Sequence, residues 1–133
     1  MRRLALVALL AVAGCGDTIV NNLPPTAPTP PTTPVKTTIE FRVVGNASSV
    51  RVRYSSPLDG LVQVVTSLPY FNSFSTEASS MFLSLEAAPL TYPTIITNPF
   101  LSVQIVAGGT MFREATSNDF FFVPLQASGT WRR

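Results

Sequence analysis

The chain has 133 residues, enough for one domain of ordinary size. Its formal charge of +2 comes from Arg2 and Arg3; without the segment that holds them, seven basic residues face seven acidic ones. Such a balance excludes a nucleic-acid partner held by clustered Lys and Arg, and only 12% of residues are charged, about half the usual share near 25%.

Met1-Arg2-Arg3 forms a short positive start, followed by the unbroken apolar run Leu4 to Val12 and the small pair Ala13-Gly14 before Cys15. Positive charge holds the N-terminus on the cytoplasmic side, and the apolar run enters the bilayer. It is much shorter than the ~20 apolar residues a spanning helix needs. Val12-Ala13-Gly14-Cys15 resembles the bacterial lipobox, in which the cysteine is acylated and becomes the first mature residue. That resemblance implies a signal peptide over 1–14 and a fatty-acid anchor such as palmitate on Cys15. It also gives a role to the chain's one cysteine, which has no intramolecular disulfide partner in an oxidising envelope. Several acyl chains hold a protein on a membrane where one alone would be marginal. Membrane lipid is therefore the first expected partner. Gly16 after the cysteine, by enteric sorting rules, points to the outer rather than the inner membrane of the cell envelope.

Six prolines follow between Pro24 and Pro34. Each lacks an amide hydrogen and fixes φ, so this stretch enters neither helix nor sheet. Residues 15–36 are expected to form an extended spacer rising about 3.1 Å per residue.

From Thr37 the hydrophobic period becomes two. Ile39, Phe41 and Val43 alternate with Glu40 and Arg42, and Val50, Val52 and Tyr54 with Arg51 and Arg53. Met81, Leu83 and Leu85 alternate with Ser84 and Glu86, and Leu101, Val103 and Ile105 with Ser102 and Gln104. This pattern predicts strands with one face in a core and one in water. Less regular strands are predicted at Leu61–Thr66, Tyr70–Ser75, Thr110–Thr116 and Phe120–Leu125. Turn signals separate them: Gly45-Asn46, Pro57-Leu58-Asp59-Gly60, Asn98-Pro99 and Gly108-Gly109. The best helical window, Glu77–Leu90, keeps its apolar positions at period two and so favours a strand. The expected fold is all-β: a two-sheet antiparallel sandwich of seven or eight strands over 37–131, with a closed barrel as the alternative.

Ile39-x-Phe41-x-Val43-x-Gly45, Val50-x-Val52-x-Tyr54, Gly60 and Leu68-Pro69-Tyr70 together resemble the small β-sandwich of the MmpS-like family. Val103-x-Ile105-x-Ala107-Gly108-Gly109 and Arg113-Glu114-Ala115 are similar to its later strands. The resemblance implies an immunoglobulin-like sandwich and a role as an accessory to a transport system. The chain departs from the family in having a lipobox for a membrane helix, no disulfide cysteines, and Tyr70 where Trp is usual.

The sequence holds no histidine, the commonest general base and metal ligand. The acidic residues are spread over strand and turn positions, without the clustering of a metal site or the paired carboxylates of a glycosidase. No enzyme activity, cofactor or metal is expected. Two features remain as candidate binding surfaces. Phe120-Phe121-Phe122 puts aromatic rings on both faces of one strand, either as a strand covered on both sides or with Phe121 exposed to lipid, glycan or a protein partner. Arg51 and Arg53 share a strand face, where Glu40 is expected across a hairpin; an ion-paired row and a small anion patch are the two readings. The expected function is a non-enzymatic, membrane-anchored binding or assembly module that meets an envelope protein partner. The alternative is a purely structural surface lipoprotein without a specific ligand.

Overall fold

Eight strands carry the alternating pattern: β1 (Thr37–Gly45), β2 (Ser49–Ser56), β3 (Gly60–Thr66), β4 (Tyr70–Thr76), β5 (Ser80–Thr91), β6 (Leu101–Ala107), β7 (Thr110–Ser117) and β8 (Leu125–Arg132). They are seen in a computed structural model that describes residues 33–93, 98–119 and 123–133. All pairing is antiparallel, in two four-stranded sheets ordered β4-β1-β6-β7 and β3-β2-β5-β8. The molecule is thus a two-sheet sandwich and not a closed barrel. Among the described strands, β2–β3 and β6–β7 are hairpins within one sheet, and every other connection changes sheet.

The alternation decides which face is buried. Ile39, Phe41 and Val43 from β1 meet Val50 and Val52 from β2, Leu83, Leu85 and Ala87 from β5, and Val103 and Ile105 from β6, all fully buried. Burial of a Val, Leu, Ile or Phe side chain contributes about 1.5–3 kcal/mol, so these inward rows supply most of the fold's stability. Strand β6 departs from simple alternation. Its outward residues Ser102 and Val106 are buried as well, where one face was expected in water. Ser102 Oγ donates to Glu114 at 3.0 Å, and Thr116 Oγ1 donates to Ser102 Oγ at 3.5 Å, so the polar side chain is satisfied under its taller β7 neighbours.

Of the predicted strand Phe120–Leu125, residues 120–122 lie outside the described residues; β8 runs from Leu125 to Arg132 and pairs with β5 through Met81↔Trp131 and Leu85↔Ala127. Its inward residues include the small Ala127 and Gly129, which a hydrophobicity pattern hides.

Two contacts fix the ends of the strands. Asn46 clasps the approach to β6: its Nδ2 donates to the Asn98 carbonyl at 2.7 Å, and its Oδ1 accepts from Phe100 N at 2.8 Å. The chain passes so close here that a Cβ on Gly45 would sit 2.3 Å from the Phe100 carbonyl oxygen. At the opposite end of β1, Arg133 donates from Nε to Thr37 Oγ1 at 3.2 Å and from its terminal nitrogen to the Thr76 carbonyl at 3.3 Å.

Candidate functional site

Strands β1 and β4 build an open groove of about 300 Å3, lined by the outward residues Glu40, Arg42, Phe71 and Ser73 and by the intervening Phe41 and Asn72. The register explains its composition. Arg42 stands opposite Phe71 and Glu40 opposite Ser73, so an ion pair and an aromatic ring share one face across neighbouring strands. Glu40 and Arg42 are two residues apart on the same side of β1, and Arg42 Nε donates to Glu40 at 3.1 Å. Both are half-buried. Phe71 is 61% exposed, whereas its strand-mates Tyr70 and Phe74 pack against the core. An aromatic ring held out of the core, beside a fixed carboxylate and guanidinium, offers an apolar platform with hydrogen-bonding groups at its margin.

Arg51 and Arg53 lie on the outward face of the other sheet. Glu40 is not across from them, because the turn after β1 carries the chain into the second sheet instead of closing a hairpin. Arg53 instead faces Glu86 of β5, with Nη1 3.4 Å from the carboxylate, and Arg51 stands between Val65 and Ala88. Arg51 has no ion pair among the described residues. Exposed apolar side chains flank this arginine row: Leu61 and Val65 on β3, and Phe82 on β5, each at least 60% exposed. Cys15 and Phe121 lie outside the described residues.

Three further acidic side chains are engaged separately. Glu114 accepts from Gln104 Nε2 at 2.7 Å as well as from Ser102. Asp59 accepts from Ser56 Oγ in the β2–β3 turn, and Glu77 pairs with Lys36 at 3.7 Å on the surface. Among the described residues, no group of three or more His, Cys, Asp or Glu is placed to hold a metal ion.

Two phenols shift with burial. Burial, reinforced by the neighbouring Tyr54, pushes the Tyr70 hydroxyl well above its ordinary range, and burial raises Tyr92 in the same direction. Both stay neutral at physiological pH and serve packing.

Sequence reasoning identified the arginine row and missed the β1–β4 groove. The signal was present in Tyr70-Phe71-x-x-Phe74, where aromatics occupy both parities of one strand. The pairing partner that places Glu40 and Arg42 beside Phe71 is set by the sheet order, which no local pattern carries. No protein-family model matches the chain, and no curated protein matches it.

Proposed function

We propose that the protein is a lipid-anchored component of the bacterial cell envelope whose sandwich acts as a non-enzymatic binding or assembly module. The observation that carries the binding role is Phe71, exposed over the groove beside the Glu40–Arg42 pair. An open, shallow groove with an aromatic platform suits contact with another surface. The anchor rests on the order of basic start, apolar run, small residues and Cys15, and on the proline spacer that follows. Assistance to an envelope transport system is the narrower form of this role, resting on the MmpS-like resemblance.

The test has two arms. Intact-mass analysis of the membrane fraction should show acyl chains on the wild type and none on Cys15→Ser; an unmodified wild-type cysteine refutes the anchor. Pulldown from envelope extract should recover one stoichiometric protein with the wild type and lose it with Phe71→Ser. Recovery of no stoichiometric partner under mild conditions favours a structural lipoprotein whose abundance is its role. Undiminished capture by Phe71→Ser moves the binding surface away from this groove.

A further inference from the structure

Each sheet ends in strands with one unpaired edge, and the four edges differ in how well they are protected. An exposed edge is a template for another strand unless charge, proline or a bulge blocks it. On β7, the register shift opposite Ile105 and Val106 marks a bulge, and the strand carries Arg113 and Glu114. Strand β8 ends in Arg132 and lies against β7 of the facing sheet, with Cα atoms within 8 Å. Strand β4 lacks charge and proline, but apart from Phe71 it turns only serines outward, so it has no second apolar side chain to pair across a new edge. Strand β3 has none of these protections. Gly60-Leu-Val-Gln-Val-Val-Thr66 contains no charge and no proline, is rich in β-branched residues, and leaves Leu61 and Val65 67% and 60% exposed. Among the described residues, β2 is its one strand partner.

We infer that β3 is a homotypic interface, in which two copies of this chain pair their β3 edges antiparallel about a two-fold axis at Gln63. The β3 sequence is close to a palindrome about that residue. Antiparallel pairing centred there sets Gln63 against Gln63, Leu61 against Val65 and Val62 against Val64 of the second copy. Paired positions share parity, so backbone groups that point outward on one copy meet outward-pointing groups on the other. Side chains also stay on matching faces. The exposed Leu61 and Val65 form two apolar cross-strand pairs on the outer face, while the half-buried Val62 and Val64 extend the inner row.

Charge permits this arrangement. Arg53 is the neighbour of Gln63 on β2, so the two copies' Arg53 residues lie three strand spacings apart, roughly 14 Å. That exceeds the screening length of about 8 Å at physiological salt, and Glu86 already pairs with Arg53. The product is a continuous eight-stranded sheet whose isologous contact closes on itself. A closed pair also removes the edge that would otherwise recruit further strands.

Disulfide trapping of the full chain on a Cys15→Ser background, which removes the one native thiol, tests the register. Under mild oxidation, Gln63→Cys should form a covalent dimer, while the background chain and Ser73→Cys on the β4 edge remain monomeric. Leu61→Cys and Val65→Cys should each crosslink poorly alone and form a mixed dimer when combined. Adding Val65→Lys to Gln63→Cys should lower the trapped fraction at least tenfold with the melting temperature unchanged. Trapping of Gln63→Cys no faster than Ser73→Cys overturns the interface, as does a Val65→Lys chain that melts normally and still dimerises. Efficient crosslinking of Leu61→Cys with itself overturns the register. These readouts involve neither Cys15 acylation nor Phe71, so their failure is separable from failure of the binding role.

Discussion

The two flanks of the sandwich are sealed by different means. On the flank formed by β7 and β8, small residues let the sheets come together: a Cβ on Gly129 would meet Arg113 Nε at 3.0 Å and the Phe112 ring at 3.3 Å. Arg113 stacks its guanidinium 4.5 Å from the Phe112 ring centroid and donates to the Phe112 carbonyl, so a cation and a bulge close the gap. Towards β3 and β4, aromatic rings fill the space. Phe41 lies 5.1 Å from Tyr54 and 5.8 Å from Phe74, and Tyr54 lies 6.4 Å from Tyr70, all tilted pairs. One sheet pair thus closes by lack of volume on one side and by abundance of it on the other. The edge beside the aromatic flank is the one left open.

Substitutions can break both flanks or separate them. Placing Asp at Val52 or Val103, each fully buried in a central row, should cost more than about 4 kcal/mol and unfold the domain; soluble variants with native melting would overturn the assigned facing. Phe41→Ala strikes the aromatic flank, and a loss of about 3–5 kcal/mol is expected from denaturant unfolding. Gly129→Val strikes the close-packed flank, where Arg113 can yield in part. Its expected cost is about 1–3 kcal/mol, and a neutral result would show that the flank tolerates separation. The smallest effect should come from pH. The folded state keeps the Tyr70 proton that the unfolded chain releases near its ordinary pKa of 10. This contribution is therefore complete below pH 10 and is lost as pH rises through the higher folded value. Tyr92 acts in the same sense, so Tyr70→Phe should reduce, without abolishing, the fall in melting temperature on going from pH 9 to pH 12.

The same contrast explains how much of the fold was legible. Strands with large apolar residues at alternate positions, such as Ile39-x-Phe41-x-Val43, declare themselves because burial of each residue outweighs any local preference. Strand β8 also alternates, but its inward positions include the small Ala127 and Gly129, and at Gly129 the Arg113 and Phe112 side chains leave no room for a larger residue. Pairing was less legible than facing. Glu40 and Arg53 carry opposite charge on consecutive strands, yet the chain changes sheet between them, and each takes a different partner. The groove at Phe71 depends on that long-range order. Asn46 was legible only as a turn residue, since the Phe100 backbone that it holds is 54 positions away.

The clasp between Arg133 and Thr37 brings the entry and exit of the sandwich to one pole. The β6–β7 turn is pinned there too, by Gly108 N to the Thr38 carbonyl. The opposite pole, where β1 ends at Gly45 and β7 at Ser117, is held away by the length of β1, roughly 30 Å for nine residues. A leash attached ahead of Thr37 and a fusion attached after Arg133 would therefore crowd the same end.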